Sequence, residues 1–385
     1  MCRKWPSKSR QTGAKSGDVR KRLRGAEKLA ISAADGRESA RIGPVLTSGA
    51  MAESGGSGAV GGARAGPSGE DPGPVRQRPG PGAGPDSRTT NLARVRIDLH
   101  THSRASDGTQ SPTELVHAAA DAGLDVLGLT DHDSADGWTE AARTAHEVGI
   151  ELVRGMEIST SLDGHGVHLL AYLPDPSYPP LADELGRILE GRSSRVPAMI
   201  ERLRAVGVDV TVADVERATG SSAASGRPHV ADALVTLGVV RDRNEAFARY
   251  LDTGRPAHAR RYAAPLREMI RLVTEAGGVS VIAHPWGRHG RERPDEQMFA
   301  ELVGIGLCGI EVDHQDHDPA TRDKLRGIAR NLDLVATGSS DHHGAGKVDH
   351  ELGCNTTAPE EYARLLDRVA VVAAASGRDV PEVVR

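Results

Sequence analysis

The sequence predicts an α/β fold with a parallel sheet or barrel over residues 94–385. From Arg94 onward, short β-branched runs alternate with longer stretches of helical periodicity, which is typical of strand–helix–strand units. Only 3% of the residues are aromatic, so Val, Leu, Ile and Ala must form the core, as they do in buried parallel strands. One stretch, residues 181–264, breaks the alternation and indicates helices alone.

Each predicted strand is a short apolar run bounded by polar or turn-forming residues. The candidates are Val95–Leu99, Val126–Thr130, Leu152–Glu157, Val167–Tyr172, Val279–Ala283, Gly309–Val312 and Leu334–Thr337. Helices are predicted between most of them, at Ser111–Ala122, Ser134–Val148, Leu266–Ala276 and Pro319–Asn331. Ser111 and Ser134 are suitable N-cap residues. We interpret residues 181–264 as a helical insertion that covers the strand ends as a cap.

Residues 1–93 are predicted to form a disordered, low-complexity tail. Between Glu53 and Pro85, 17 of 33 residues are Gly or Pro, and no hydrophobic period is present. Such a segment buries too little apolar surface to offset the entropy that ordering costs. The remaining chain then divides into a first barrel part at 94–180, the insertion at 181–264 and a second barrel part at 265–385.

The composition excludes several classes of protein. Residues 94–385 hold 32 basic and 45 acidic residues, a balance that does not suit binding of double-stranded DNA through many phosphate contacts. No apolar run approaches the roughly 18 residues that a membrane span needs. The three cysteines are far apart and odd in number, and no apolar stretch follows the basic N-terminus as in a signal peptide. A cytoplasmic location without membrane contact is therefore expected.

Most of the potential metal ligands stand close to the point where a predicted strand ends, and one, His168, lies within the fourth predicted strand. The potential ligands are His100, His102, Asp107, His132, Glu157, His168, His284, Asp341 and His343. Because the carboxyl ends of parallel strands meet at one rim, these side chains are expected to converge. Imidazoles together with carboxylates suit Zn, Mn or Fe rather than Mg or Ca alone, and nine ligands exceed what one ion uses. The sequence thus predicts two or three ions, with a carboxylate bridging a pair.

The ordered motifs resemble those of the PHP (polymerase and histidinol phosphatase) family. They are Asp98-Leu99-His100-Thr101-His102-Ser103, Asp107-Gly108, Thr130-Asp131-His132-Asp133, Gly155-Met156-Glu157, Ala283-His284-Pro285 and Ser340-Asp341-His342-His343. The resemblance covers about 94–375. It implies a distorted (β/α)7 barrel that holds three divalent metal ions, manganese first, with iron or zinc as alternatives.

The resemblance also implies how the ligands are shared. One ion would take His100, His102, Glu157 and Asp341, a second Glu157, His168 and His284, and a third Asp107, His132 and His343. Asp107, His132, Glu157 and His343 are the predicted catalytic residues among them. His342 lies where the family usually has an aromatic residue, and it would stack on a substrate base or fill that position. Glu311 is expected to support a ligand imidazole.

The helical insertion after His168 resembles the subgroup that acts on nucleoside 3′,5′-bisphosphates and on the 5′ ends of short RNA. This implies a phosphoesterase that uses metal-activated water to convert a nucleoside 3′,5′-bisphosphate to the 5′-monophosphate, and that trims short RNA from its 5′ end. Arg195, Arg227 and His229 are predicted to bind substrate, because arginine binds phosphate bidentately and a helix N-terminus favours anions. Alternatively, the arginines are solvated or pair with Glu190 and Glu201.

Three other functions remain open from the sequence. A histidinol-phosphate phosphatase, or another small-molecule phosphatase, would use the same metal motifs. A non-catalytic PHP module that assists a polymerase often lacks ligands, whereas every expected ligand is present here. An amidohydrolase acting on C–N bonds usually requires a metal-bridging lysine, and no lysine stands at a predicted strand end.

Overall fold

The computed structural model describes residues 95–287 and 294–385, and a curled mixed sheet runs through this part of the chain. Its strands are β1 Ile97–Thr101, β2 Val126–Leu129, β3 Glu151–Leu162, β4 His165–Tyr172, β5 Ala264–Pro265, β6 Val279–Ile282, β7 Leu307–Asp313 and β8 Val335–Gly338. The neighbours follow the order β1-β2-β3-β4-β6-β7-β8, and the short β5 pairs only with β3. The predicted tail at 1–93 lies outside the described residues.

The sheet curls until its two edges approach each other. Thr101 at the end of β1 forms a parallel bridge with His342, just beyond β8. The amide of His102 donates to the carbonyl of His342 at 2.9 Å. The predicted fold class, a distorted barrel of seven strands with helices around it, is confirmed.

One strand departs from the predicted parallel arrangement. β4 runs antiparallel to both of its neighbours, β3 and β6. The physical reason is the two-residue connection Asp163-Gly164, whose φ angles of 50° and 86° are those of a tight hairpin that returns the chain at once. As a consequence β3 continues for five residues beyond Glu157, which therefore lies within a strand and not at its end.

Eleven helices are described around the sheet. They are α1 Pro112–Asp121, α2 Trp138–Val148, α3 Pro179–Ser194, α4 Val196–Ala205, α5 Val212–Thr219, α6 Arg227–Thr236, α7 Arg243–Ala246, α8 Leu266–Glu275, α9 Glu296–Val303, α10 Pro319–Asn331 and α11 Pro359–Ala375. A π-helical turn, Phe247–Leu251, continues α7. Ser111 caps α1 in a capping box, as predicted. The prediction for Ser134 is wrong: its hydroxyl accepts from the amide of Asp136 in a turn, and α2 begins four residues later.

The apolar contacts divide within residues 181–264. Leu181, Leu185 and Ile188 of α3 belong to the core that β3, β4 and α8 share. From Val196 to Ala259, the helices form a hydrophobic cluster of their own. The boundaries of the insertion stay a prediction, but its apolar side chains are sufficient for a separate small core.

Close backbone approach fixes the first two strands. A Cβ atom at Gly128 in β2 would lie 2.4 Å from the carbonyl oxygen of Leu99 in β1, so only glycine fits there.

Among the described residues, no helix has the length and apolar character needed to cross a membrane.

Candidate metal centre

The structure brings all nine predicted ligands into one cluster at the rim of the sheet. β1 positions His100 and His102, and the loop after it positions Asp107. His132 follows β2, His284 follows β6, and Asp341 and His343 follow β8. Glu157 and His168 project from the paired strands β3 and β4. Eight of the nine are buried, and the side chain of His168 is 20% exposed.

Four ligand atoms converge at the first predicted position. His100 Nε2 lies 3.1 Å from His102 Nε2, 3.4 Å from Glu157 Oε2 and 3.5 Å from Asp341 Oδ1. His102 Nε2 is 3.1 Å from Glu157 Oε2 and 3.4 Å from Asp341 Oδ1. Two ligands of one tetrahedral ion at about 2.1 Å each would be separated by about 3.4 Å. The spacing of these four atoms therefore fits a shared cation.

The second predicted position shares Glu157 with the first, and the third lies next to both of them. The other oxygen of Glu157, Oε1, lies 2.6 Å from His168 Nδ1 and 3.1 Å from His284 Nε2. Asp107 lies 3.3 Å from His343 Nε2 and 3.7 Å from His132 Nε2. His132 also approaches Glu157, with 3.3 Å between its Nδ1 and Oε2. Glu157 is thus at the centre of the cluster, with one oxygen on each side.

The carboxylates of the cluster influence the pKa values of its imidazoles. Burial opposes a charge on His100, but the carboxylates of Asp341, Glu157 and Glu311 raise the pKa of its imidazole well above the usual value. Against the same effect of burial, Asp341, Glu157 and Asp107 raise the pKa of His102 to about 9. Burial and the nearby His102 lower the pKa of His343 to about 4. The carboxylates thus favour positive charge at the centre of the cluster.

The donor set fits divalent metal ions. Asp341 Oδ1 is buried and has no hydrogen-bond partner within the described part of the chain. A buried carboxylate oxygen that accepts no hydrogen bond is costly, and a metal ion between it and the imidazoles of His100 and His102, 3.5 and 3.4 Å away, would lower that cost. The backbone of His284 and Asp341 also adopts positive φ angles, 29° and 53°, which are uncommon for residues other than glycine. Such local strain is concentrated at functional sites.

Residues behind the ligands hold them in orientation. Glu311 Oε1 lies 3.1 Å from His100 Nδ1, and Glu311 Oε2 accepts from the backbone amide of His284 at 2.8 Å. The expected contact of Glu311 with a ligand imidazole is therefore observed, and it leaves His100 Nε2 free to face a metal. The second oxygen of Asp341 contacts His314 at 3.3 Å and the ammonium group of Lys347. The sequence analysis did not single out Lys347, although it stands only six positions after Asp341.

Both ring nitrogens of His342 contact oxygen atoms of the protein. Its Nδ1 lies 2.7 Å from the carbonyl of His350, and its Nε2 lies 3.0 Å from Gln110 Oε1. With both nitrogens engaged, the ring fills the position next to the ligands and joins two loops. Of the two alternatives from the sequence, this geometry favours the space-filling one.

An arginine cluster lies beside the centre, on the side of the insertion. Arg192 contacts Asp133, the neighbour of His132, with 2.5 Å between Nε and Oδ2. It pairs with this aspartate and not with Glu190 or Glu201. Arg195 is 8% exposed, and its Nε has no hydrogen-bond partner among the described residues. Burial and the charges of Arg261, Arg227 and Arg192 lower the pKa of Arg195 to about 8.

The three predicted substrate residues occupy different environments. Arg195 is directed toward the N-terminus of α6, within 3.3 Å of where a Cβ on Gly226 would be. Arg227 begins α6, stacks over the ring of Phe247 and lies 4.0 Å from Asp252. His229 is buried and both of its ring nitrogens bond to backbone groups, at Gly226 and Ser106. This engagement with the protein favours a supporting role for His229 over the predicted contact with substrate.

The centre is open to solvent on the side of β4. A cavity of about 280 Å³ borders His168 and His284, and its other walls include Leu162, Val167 and Met298. Small molecules can therefore reach the exposed edge of the ligand cluster.

A curled α/β sheet with buried imidazoles and carboxylates at its rim defines a metal-dependent hydrolase. Comparison with known proteins identifies the family. The family model of the PHP domain matches residues 98–276. A 3′,5′-nucleoside bisphosphate phosphatase of Chromobacterium violaceum is 36% identical over 260 residues, which cover 67% of this chain and 91% of that protein. The chain belongs to the PHP family.

The names of two other relatives describe enzymes that act on phosphate esters. A 5′-3′ exoribonuclease of Haemophilus influenzae is 34% identical over 248 residues, covering 64% of this chain and 90% of that protein. A phosphoribosyl 1,2-cyclic phosphate 1,2-diphosphodiesterase of Eggerthella lenta is 33% identical over 261 residues, covering 66% and 96%.

Solved structures agree with this relationship. A Bifidobacterium adolescentis protein assigned as a metal-dependent phosphoesterase superimposes with a TM-score of 0.68 at 34% identity, covering 71% of this chain and 96% of that one. A Chromobacterium violaceum protein described as an amidohydrolase, with sulfate and no metal, gives 0.65 at 34% identity, covering 71% and 97%. The chain is thus a metal-dependent phosphoesterase, a hydrolase of ester bonds that binds divalent metal ions. The predictions of family and enzyme class are confirmed.

Proposed function

We propose that this enzyme removes the 3′-phosphate from nucleoside 3′,5′-bisphosphates and leaves the nucleoside 5′-monophosphate. The observation that carries the proposal is the buried guanidinium group of Arg195, which forms no ion pair with a carboxylate of the described residues and lies beside the metal centre. A buried cation without a partner is unfavourable until an anion binds. A substrate with two phosphates would place one at the metals and the other at this arginine.

We assign the metal ligands in three sets, as the resemblance implies. His100, His102, Glu157 and Asp341 form the first set, Glu157, His168 and His284 the second, and Asp107, His132 and His343 the third. The resemblance implies manganese, with iron or zinc as alternatives, and the mixed set of imidazole and carboxylate donors suits all three. When bound, such ions supply Lewis-acid activation of water and neutralise charge on the phosphate.

The residues of the chain contribute binding, orientation and charge. Arg195 and Arg227 would hold the second phosphate by charge-assisted hydrogen bonds at the N-terminus of α6, which itself favours anions. Arg192 is fixed between Asp133 and Ser159, and donates to the hydroxyl of Ser159 at 2.8 Å. The charge of Arg192 is thus held close to His132. Because Asp133 and Ser159 already engage its guanidinium group, Arg192 is less available to a substrate oxygen than Arg195. Anchoring the second phosphate orients the first one for in-line displacement.

A competing function, 5′–3′ trimming of short RNA, has one specific observation in its favour. The arginine cluster extends outward around His258, whose pKa is lowered by partial burial and by Arg227, Arg195, Arg202 and Arg260. Positive charge that continues beyond the first anion position suits a further phosphodiester. The substrate would then be a short oligonucleotide with a 5′-phosphate, and no duplex is required.

Substrate comparison tests the proposal. The manganese-loaded enzyme should hydrolyse adenosine 3′,5′-bisphosphate with a kcat/KM at least about 10-fold above that for adenosine 3′-monophosphate, because only the former reaches Arg195. Arg195→Met should remove most of this difference. Arg187→Met is the matched control, since Arg187 stands on α3, which ends directly before Arg195, but is exposed and pairs with Glu184. Equal rates on both nucleotides, or a preference for histidinol phosphate, would refute the proposal in favour of a general or histidinol phosphatase.

A further inference from the structure

Three side chains of the insertion bond to three consecutive backbone carbonyls of the loop that carries Asp107. The bonds are Ser222 Oγ to Ala105 O at 3.1 Å, His229 Nε2 to Ser106 O at 3.0 Å, and Arg243 Nη1 to Asp107 O at 2.9 Å. The donors are at least 117 positions from their acceptors in the sequence. They stand at separate places in the insertion: between α5 and α6, on α6, and on α7. The insertion therefore contacts the backbone of this loop at three successive residues.

The middle bond has a defined direction. The amide of Gly226 donates to His229 Nδ1 at 3.2 Å, so Nδ1 is an acceptor. The ring proton must then be on Nε2, which donates it to the carbonyl of Ser106. His229 is 4% exposed, so water does not compete for this bond.

Arg243 is held in place by its own partner. Both oxygens of Asp232 lie 2.6 Å from nitrogens of its guanidinium group, a bidentate pair. The same group borders Gly346, where a Cβ atom would lie 2.3 Å from Nη1. Gly346 is three residues beyond His343. One guanidinium group thus contacts the two loops that carry Asp107 and His343.

The carboxylate of Asp107 lies between His343 and His132, while its backbone carbonyl accepts from Arg243. Hydrogen bonds to three successive carbonyls fix the rotation of the peptide units, and this fixes where the side chain of Asp107 projects. A metal ligand has to be positioned within a few tenths of an ångström, so such support has a direct effect on affinity.

We propose that Arg243, supported by His229 and Ser222, is a positioning residue for Asp107, so that the insertion sets the metal affinity of the third position. This inference rests on the proposed assignment of Asp107, His132 and His343 to that position. The insertion then has two roles: it offers arginines to the substrate, and it completes one part of the metal centre.

Metal binding by the full chain tests the inference without reference to any substrate. In equilibrium dialysis against buffered Mn²⁺ with elemental analysis, Arg243→Met should weaken one equivalent of manganese by about 10–100-fold and leave the other equivalents unchanged. Arg241→Met is the matched control, because Arg241 is an exposed arginine near α7 that pairs with Glu245. Ser222→Ala removes one bond with little risk to folding and should produce a smaller loss at the same equivalent.

A double-mutant cycle separates positioning from general damage. In an Asp107→Asn background, Arg243→Met should have almost no further effect on metal binding, since its target is already lost. An additive effect, or unchanged metal binding in both Arg243→Met and Ser222→Ala, would overturn the inference. Should Asp107→Asn itself retain all its metal, the assignment of the third position falls and the inference falls with it. Loss of one equivalent in Asp107→Asn without loss in Arg243→Met overturns only the positioning role.

Discussion

Replacement of Glu157 by glutamine perturbs the centre at its most connected point. Five imidazoles surround this carboxylate: His100, His102 and His132 at 3.4, 3.1 and 3.3 Å from Oε2, and His168 and His284 at 2.6 and 3.1 Å from Oε1. An amide has one oxygen and one NH2 group, so at least one side of the centre would face a donor in place of a ligand. The substitution would also remove a full negative charge from a buried site.

The magnitude follows from the two positions that share Glu157. Removing a group that merely orients a metal ligand costs about 10–100-fold in metal affinity. Glu157 is proposed as a ligand itself at two positions, so Glu157→Gln should lose at least that much at one position and weaken the other. Turnover needs the ions together, and we expect it to fall by about 100-fold or more.

The assay combines metal analysis after dialysis at fixed free Mn²⁺ with phosphate release from adenosine 3′,5′-bisphosphate. Glu151→Gln is the control: it is the same change on the same strand, but Glu151 is the first residue of β3 and contacts Tyr362 and Arg385. Circular dichroism should show that both variants keep the fold. Full metal content together with full activity in Glu157→Gln would refute the bridging role.

Three further predictions concern the surroundings of the centre. Glu311→Gln weakens the support of His100, so metal titration should show about 10–100-fold lower affinity while kcat at saturating metal changes little. Arg195→Met removes a buried cation, so the anion-free protein should gain roughly 1 kcal/mol, seen as a Tm about 2 °C higher, and sulfate should no longer raise that Tm. The pKa of Arg195 in the folded protein, about 8, is below its value in the unfolded chain, so the unfolded chain binds more protons above about pH 8. The stability of the wild type should therefore rise with pH above this point relative to that of Arg195→Met. Melting curves of both proteins over a series of pH values would show the difference. Gly128→Ala should cost about 1–3 kcal/mol in urea unfolding, since its Cβ would lie 2.4 Å from the carbonyl of Leu99, whereas Gly166→Ala enters open space and should cost little.

The sequence predicted the strands and the convergence of the ligands because both depend on local signals. Apolar runs marked the strands, and most of the ligands stood at or just after their ends, so the rule that parallel strands share a rim placed them together. Glu157 and His168 lie within β3 and the antiparallel β4, and that rule does not place them. The direction of β4 was missed although its Asp163-Gly164 turn is a local hairpin signal, because helix-linked parallel strands were assumed throughout.

Contacts between distant parts of the chain could not be read from the sequence. The pairing of Arg192 with Asp133 joins residues 59 positions apart, and the sequence offered the nearer Glu190 and Glu201 as partners instead. The bond of His229 to Ser106 spans 123 positions, and it favours support of a loop over the predicted contact with substrate. Such contacts depend on how the insertion packs on the barrel, which no local pattern encodes.

Incubation of the manganese-loaded chain with adenosine 3′,5′-bisphosphate, followed by chromatography of the products, tests the central claim most directly. The account predicts stoichiometric release of inorganic phosphate and formation of adenosine 5′-monophosphate, with both abolished by a chelator and restored by Mn²⁺. A protein that carries its metal ions and yet leaves this nucleotide intact would contradict the account.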